Sequence, residues 1–217
     1  MKTKEIAIWF IVIAVLIGGL WLLVSAVNTP LSQSAPGITN VPGVSKTDLV
    51  TGSPSAKVTL IEYADFQCPA CAVMHATIKQ LQGGFKDNLR LVYRFFPLTN
   101  IHQNSLISAQ VAYAAGLQGK FWEMFDMIFE NQDSWSDSSQ AKSIFTDYAK
   151  KLGLNLNKFT SDINSDSTKK FITDEQNEGL DLGINATPTI FINGKEIQNP
   201  AGYEEFKKLI QDEINKN

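Results

Sequence analysis

Apolar positions along the chain change period several times, and each change marks a different element. From Ile6 to Val27 no charge interrupts the sequence. At about 1.5 Å rise, roughly 22 residues give on the order of 33 Å of helix, enough to cross a bilayer core and longer than a typical signal-peptide apolar region. A cleaved signal peptide, with Val24-Ser25-Ala26 as its cleavage site, and a buried core helix are the competing readings. Lys2 and Lys4 precede the run and the next basic residue is Lys46, a bias that leaves the N-terminus cytoplasmic and the rest outside. Trp9 and Trp21 lie towards its two ends, where interfacial anchors sit.

From Asn28 the periodicity stops. Pro30, Pro36 and Pro42 interrupt a stretch rich in Ser, Gly, Thr and Asn, which reads as a flexible linker over 28–50. A coil of about 20 residues has a typical reach of roughly 25 Å. It is too short and polar to serve as a dimerisation domain, so the expectation is a monomer held at the cell membrane by a single-pass anchor over 1–27.

Beyond residue 50 the patterns are those of alternating strands and helices. Val58-Thr59-Leu60-Ile61-Glu62-Tyr63 follows a Gly52-Ser53-Pro54 turn signal and reads as a mostly buried strand. A helix is predicted from Pro69 to about Gln82, with Pro at its first turn and Gly83-Gly84 closing it. Leu89, Leu91, Tyr93 and Phe95 alternate with their neighbours as a second strand that Pro97 ends. The stretch from about 102 to 182 is helical. Phe121, Met124, Phe125 and Ile128 fall at helical spacing, and Ile144, Phe145, Tyr148 and Leu152 repeat it up to Gly153; such stripes pack cores. Pro188-Thr189-Ile190-Phe191-Ile192 is a strand, Asn193-Gly194 a hairpin turn into Lys195-Glu196-Ile197, and Gly202 to Ile214 an amphipathic helix.

Composition narrows this picture. The region 51–217 forms one domain by size, about 165 residues, large enough for a good core without disulfide staples. A net charge of -3 supplies no basic surface for nucleic acid or anionic lipid. Two cysteines, Cys68 and Cys71, are the chain's whole complement, and they sit where a strand gives way to a helix. Unpaired backbone N–H groups at a helix start favour a thiolate, so Cys68 is the expected attacking sulfur. Cys71, one turn further in, suits a resolving partner in thiol–disulfide exchange. A staple closing so short a loop would constrain little. Zinc would want four ligands, where only His75 and His102 remain, so no metal is expected.

Asp65-Phe66-Gln67-Cys68-Pro69-Ala70-Cys71, the later Ala186-Thr187-Pro188-Thr189-Ile190-Phe191-Ile192-Asn193-Gly194, and the helical stretch between them resemble a thioredoxin-fold thiol:disulfide oxidoreductase of the DsbA kind, in its membrane-anchored branch. The resemblance runs from about Thr47 to the C-terminus. It implies an α/β fold, a central mixed sheet flanked by helices with a helical insertion, preceded here by one transmembrane helix. It also implies that Pro188 is cis and lies beside the cysteines, with Thr187 and Pro188 lining a substrate groove. Glu62 matches the buried acid beneath the active-site helix, where it would pass protons to and from the inner thiol; a solvated edge carboxylate is its bland alternative.

The implied activity needs no cofactor. It is disulfide exchange with thiol-containing extracytoplasmic client proteins, most readily as an oxidase recharged by a quinone-coupled membrane partner. Pro69-Ala70 is neither the Pro-His of strongly oxidising members nor the Gly-Pro of thioredoxins, so a reductase or isomerase stays open. A non-catalytic client-binding module is the reading from another class. Copper delivery is disfavoured, because no Met or His cluster accompanies the thiols. His75 is expected to pack or sit at the surface, His102 has no evident partner, and the Asn185-Ala186-Thr187 sequon reads as coincidence.

Overall fold

The structure, a computed structural model, describes residues 18–19, 37–38 and 41–216. Apart from Gly18 and Gly19, the expected membrane span at Ile6–Val27 lies outside the described residues, as does most of the expected linker. Among the described residues no helix is long and apolar enough to cross a membrane.

The domain is built on a five-stranded mixed sheet. Its strands are β1 (Leu49–Gly52), β2 (Val58–Ala64), β3 (Leu89–Phe95), β4 (Thr189–Ile192) and β5 (Lys195–Ile197), in the spatial order β1-β3-β2-β4-β5. β2 is central, parallel to β3 and antiparallel to β4. A strand flanked on both sides and covered on both faces must be apolar nearly throughout, and β2 is buried over almost its whole length. The strand–helix–strand unit at its start is β2, α1 (Pro69–Phe85) and β3. Asn193 and Gly194 take φ values of 48° and 84°, the left-handed pair that a tight hairpin between β4 and β5 requires.

Alternation along β2 sorts the core. Val58 and Leu60 face α1 and the C-terminal helix α8 (Tyr203–Lys216), packing with Met74, Ile78, Leu81, Phe206 and Ile210. Ile61 and Tyr63 face the other way, with Phe96, Ile184, Phe191 and Val41. By the same period Glu62 points towards the α1 side.

Between β3 and β4 the chain makes six helices: α2 (Ser105–Gly116), α3 (Phe121–Glu130), α4 (Gln132–Trp135), α5 (Ala141–Lys151), α6 (Leu156–Asn164) and α7 (Asp166–Asp181). The stripe Phe121, Met124, Phe125, Ile128 is buried, as expected of a packing face. It joins Phe66, Tyr93, Phe95 and Phe129 in the largest apolar cluster, so the insertion shares its core with the sheet rather than folding apart from it. Asn155 and Ser165 cap α6 and α7, accepting from the backbone N–H of Lys158 and Thr168.

Two expectations need correction. The linker does not extend to residue 50. Val41 is buried, β1 pairs with β3, and the compact unit begins at Gly37. β1 is held by its ladder to β3, and the residues before it by Arg94, 2% exposed on β3, a side chain that must find acceptors to be buried at all. Its guanidinium donates to Asp48 (3.0 and 3.2 Å), to the carbonyls of Pro42 (3.0 Å) and Gly43 (3.3 Å), to the Tyr63 hydroxyl (2.8 Å) and to Glu178 (3.0 Å). A Pro- and Gly-rich stretch thereby becomes ordered, because its carbonyls are what the arginine needs. Secondly, α1 does not stop at Gly83-Gly84 but runs to Phe85, whose ring packs against the core. Phe85 is partly buried, and its packing offsets part of the roughly 1 kcal/mol that each helical Gly costs.

Replacing Arg94 with Leu strands the buried Asp48 carboxylate and should cost about 3–5 kcal/mol. Urea unfolding would register it as a lower midpoint at unchanged slope, and adding Asp48→Asn should recover part of the loss.

Candidate active site

β2 ends at Ala64 and α1 begins at Pro69, with four residues between them; the two cysteines lie across that junction. Cys68 is the N-cap, in extended conformation with φ -70° and ψ 122°. Its carbonyl accepts from the backbone N–H of Cys71 (3.1 Å) and Ala72 (3.2 Å), which opens the helix. Pro69 occupies the first helical turn, where its missing N–H is no loss. Cys68 is 8% exposed and Cys71 is 0% exposed; both are free thiols.

The environment treats the two sulfurs oppositely. A hydrogen bond from the Cys71 thiol pulls the Cys68 thiol down to about 5, with help from Thr187 and the backbone N–H groups of Cys71 and Ala70, while partial burial opposes. Burial drives Cys71 well above the ordinary thiol range, and its hydrogen bond to Cys68 and the nearby Glu62 push the same way. One proton is therefore held inside, on Cys71, and one negative charge sits at the helix start, on Cys68.

Thr187 and Pro188 reach this junction from the far side of the insertion. The Thr187–Pro188 bond is cis. The Thr187 carbonyl lies 3.4 Å from the Cys68 sulfur, accepting from it when it is a thiol. The Thr187 hydroxyl, buried and otherwise without a partner among the described residues, is a donor for the thiolate. The neighbouring Pro188 carbonyl is taken by the Asn199 side chain at 2.8 Å.

Glu62 is 1% exposed, opposite Tyr93 on β3 and Ile190 on β4, so it is a central-strand residue rather than an edge carboxylate. One of its oxygens has no hydrogen-bond partner among the described residues. Burial, with the Cys68 charge second, raises it to about 8. A carboxyl poised there can hold or release a proton near neutral pH.

The loop that carries the cysteines is clamped by groups the sequence did not single out. Asp65, fully buried, accepts from the backbone N–H of Gln67 (2.8 Å) and Leu98 (3.0 Å) and pairs with His102 Nδ1 (2.6 Å). Gln67 bonds the Ser136 carbonyl (2.6 Å) and the Asn104 N–H (2.6 Å). Gln132 donates to the carbonyls of both Phe66 (2.7 Å) and Cys68 (3.1 Å). The one signal within reach of sequence was Asp65 and Gln67 standing in an apolar junction; their partners lie dozens of residues away. His75 is buried on α1, stacked on Phe129 and 2.8 Å from Asp126, a packing position as expected. Elsewhere, a cavity of about 300 Å³ is bordered by Asp48, Arg94, Glu175 and Glu178 and shares no residue with the cysteine junction. Among the described residues no cluster of His, Cys, Asp or Glu has a metal-binding arrangement.

Comparison with known proteins adds the following. The family model described as thioredoxin matches residues 44–212. Curated relatives include the Na(+)/H(+) antiporters NhaA 1 of Mycolicibacterium gilvum and of Salinispora arenicola. The first is 37% identical over 157 residues, 70% of this chain and 24% of its own; the second is 36% identical over 149 residues, 68% and 22%. The chain thus spans about a quarter of the length of these relatives. Similar solved structures include oxidised BdbD from Bacillus subtilis, with a TM-score of 0.73 at 22% identity, covering 83% of this chain and 99% of that one. A thioredoxin-like oxidoreductase from Silicibacter pomeroyi gives 0.66 at 24% identity, covering 80% and 95%. Wolbachia pipientis α-DsbA1 gives 0.71 at 21%, covering 80% and 94%. At these identities the structures share the fold: a thioredoxin sheet with a helical insertion.

Two pH effects follow, of opposite sign. Stability owed to Cys68 is full above the ordinary thiol range and lost as pH falls through about 5; stability owed to Glu62 is full below the ordinary carboxylate range and lost as pH rises through about 8. Alkylation of the reduced protein should therefore show a midpoint near pH 5 for Cys68, with Cys71 unmodified until the chain unfolds. In urea unfolding of the reduced form, Glu62→Gln should flatten the loss of stability through about pH 8.

Proposed function

The chain belongs to the thioredoxin family, and on that premise we propose that it is a protein thiol:disulfide oxidoreductase that introduces disulfides into extracytoplasmic client proteins through Cys68 and Cys71. The observation that carries this reading is the placement of the pair: Cys68 at the N-cap of α1 beside the cis Thr187–Pro188 bond, and Cys71 one turn in and sealed in the core. Exchange needs one sulfur that is open and a good leaving group, and a second that is protected and ready to resolve.

In the oxidised enzyme a client thiolate attacks the sulfur of Cys68, the more exposed of the pair. The Cys68–Cys71 bond breaks and a client–Cys68 bond forms; the electron pair leaves on Cys71, which takes a proton that Glu62 is placed to supply. A second client thiolate then attacks the client sulfur of the mixed disulfide. Cys68 departs as a thiolate, and two electrons have passed from client to enzyme. Thr187 and Pro188, beside Cys68, would hold the client segment that presents its cysteine.

The direction of exchange is supported by the charge on Cys68. Whatever stabilises the Cys68 thiolate stabilises the reduced enzyme, which makes its disulfide the stronger oxidant. A thiol at about 5 therefore favours the oxidase over the reductase. Re-oxidation by a quinone-coupled membrane partner, a single-pass anchor over Ile6–Val27 and an extracytoplasmic domain complete the reading; their support is the apolar run and its flanking lysines.

Equilibration with glutathione followed by acid quenching should place the disulfide well to the oxidising side of thioredoxin's roughly -270 mV. A value near thioredoxin's would overturn the oxidase assignment. In the native host, Cys71→Ala should accumulate mixed disulfides that reductant releases, and Cys68→Ala should accumulate none.

A further inference from the structure

Gln132 is the first residue of α4, a single turn of helix in the insertion, and its side-chain amide is buried against the cysteine loop. Its Nε2 donates at once to the carbonyls of Phe66 (2.7 Å) and Cys68 (3.1 Å). Two carbonyls flanking one turn, both bound by a single amide from another subregion, make a strut rather than a chance contact. The strut is itself fixed. α4 continues to the fully buried Trp135, whose indole N–H donates to the Ile128 carbonyl at 2.8 Å. Asn104 gathers the carbonyls of Trp135, Ser136 and Ser138 at 2.9–3.0 Å, and Gln67 ties the loop back to Ser136.

We propose that Gln132 is a positioning residue for the redox pair, acting through the Cys68 carbonyl to let the first turn of α1 turn its backbone N–H groups onto the Cys68 sulfur. The proposal rests on the thiol:disulfide oxidoreductase reading and adds a residue to it.

Two acceptors compete for one donor. The Cys71 N–H has two acceptors within reach: the Cys68 carbonyl at 3.1 Å and the Cys68 sulfur, which it supports as a thiolate. A carbonyl oxygen has two lone pairs. With Gln132 and the Ala72 N–H (3.2 Å) both on that oxygen, the Cys71 N–H can lean to the sulfur without leaving the carbonyl poorly satisfied. Without Gln132, the buried carbonyl draws the N–H back, because an unsatisfied buried acceptor is costly. The thiolate then loses a donor, the reduced state loses stability relative to the disulfide, and the enzyme becomes a weaker oxidant. The insertion would in this way tune the chemistry of the sheet domain through one amide.

The test uses the full chain in detergent, in wild-type, Gln132→Leu and Gln132→Met forms. The pH midpoint of the Cys68 thiolate is read by ultraviolet absorbance, the equilibrium constant with glutathione by quenching, and the fold by a thermal melt. Both variants should raise the midpoint by at least about half a unit, roughly a threefold change in thiolate stability. Both should shift the glutathione equilibrium by a similar factor towards the less oxidising side. Gln132→Met should do so while keeping the length of the side chain and removing its donor without adding a charge. Unchanged midpoint and equilibrium constant in a folded Gln132→Met protein overturn the proposal, whatever the melting temperature. If Gln132→Leu does not fold, Gln132→Met decides alone. Failure of the wild-type protein to exchange with glutathione would instead sink the functional reading on which the proposal rests.

Discussion

The difference in environment between the Cys68 and Cys71 sulfurs, one at the start of a helix and one sealed in the core, is the constraint on which the site depends. It keeps one proton inside and one charge at the rim, and that division is stable only if the surroundings differ over a few ångströms. Helix α1 supplies the difference by starting at Cys68: the N-cap sulfur meets backbone N–H groups, while Cys71, in the first turn, is sealed by the core. Glu62 on the central strand, pushed up to about 8, adds a group beneath the pair that can exchange a proton near neutral pH.

Such a junction has to be held still, and one set of long-range polar bonds does so. Asp65 gathers the loop before Cys68, and Gln67, Asn104 and Gln132 lock it to the insertion. On the opposite face Arg94 fastens β1 and the residues around Pro42 and Gly43 to the sheet. The insertion is thus a wall of the site as well as a second helical layer. Its aromatic core around Phe66, Tyr93 and Phe125 is continuous with the sheet, so movement of one would disturb the other.

Local patterns in the sequence carried most of the fold. Apolar runs exposed β2 and β4, alternation exposed β3, helical spacing exposed the Phe121 stripe, and the Asn193-Gly194 pair marked the hairpin into β5. What escaped was set by distant partners. The stretch through β1 looked like linker because what orders it, pairing with β3 and the bonds of Arg94 to Asp48, Pro42 and Gly43, lies some 45 residues on. The end of α1 was misplaced because Phe85 finds a core that no local rule describes. At the site, the cysteines could be placed on a helix start from neighbouring residues alone. His102 had no visible partner, since Asp65 meets it only through the fold, and Gln132 resembled any polar helix residue. Polar networks are specified by tertiary structure, and a single sequence records their members without recording which ones meet.

Exchange through this pair depends on where the proton resides. Labelling the cysteine Cβ carbons of the reduced protein and following their chemical shifts by NMR across the pH range would observe both sulfurs separately. The structure predicts one transition for Cys68 near pH 5 and none for Cys71 until well above the ordinary thiol range. Two transitions together near the ordinary thiol value of about 8.5 would mean that the fold does not divide the pair, and would contradict the account.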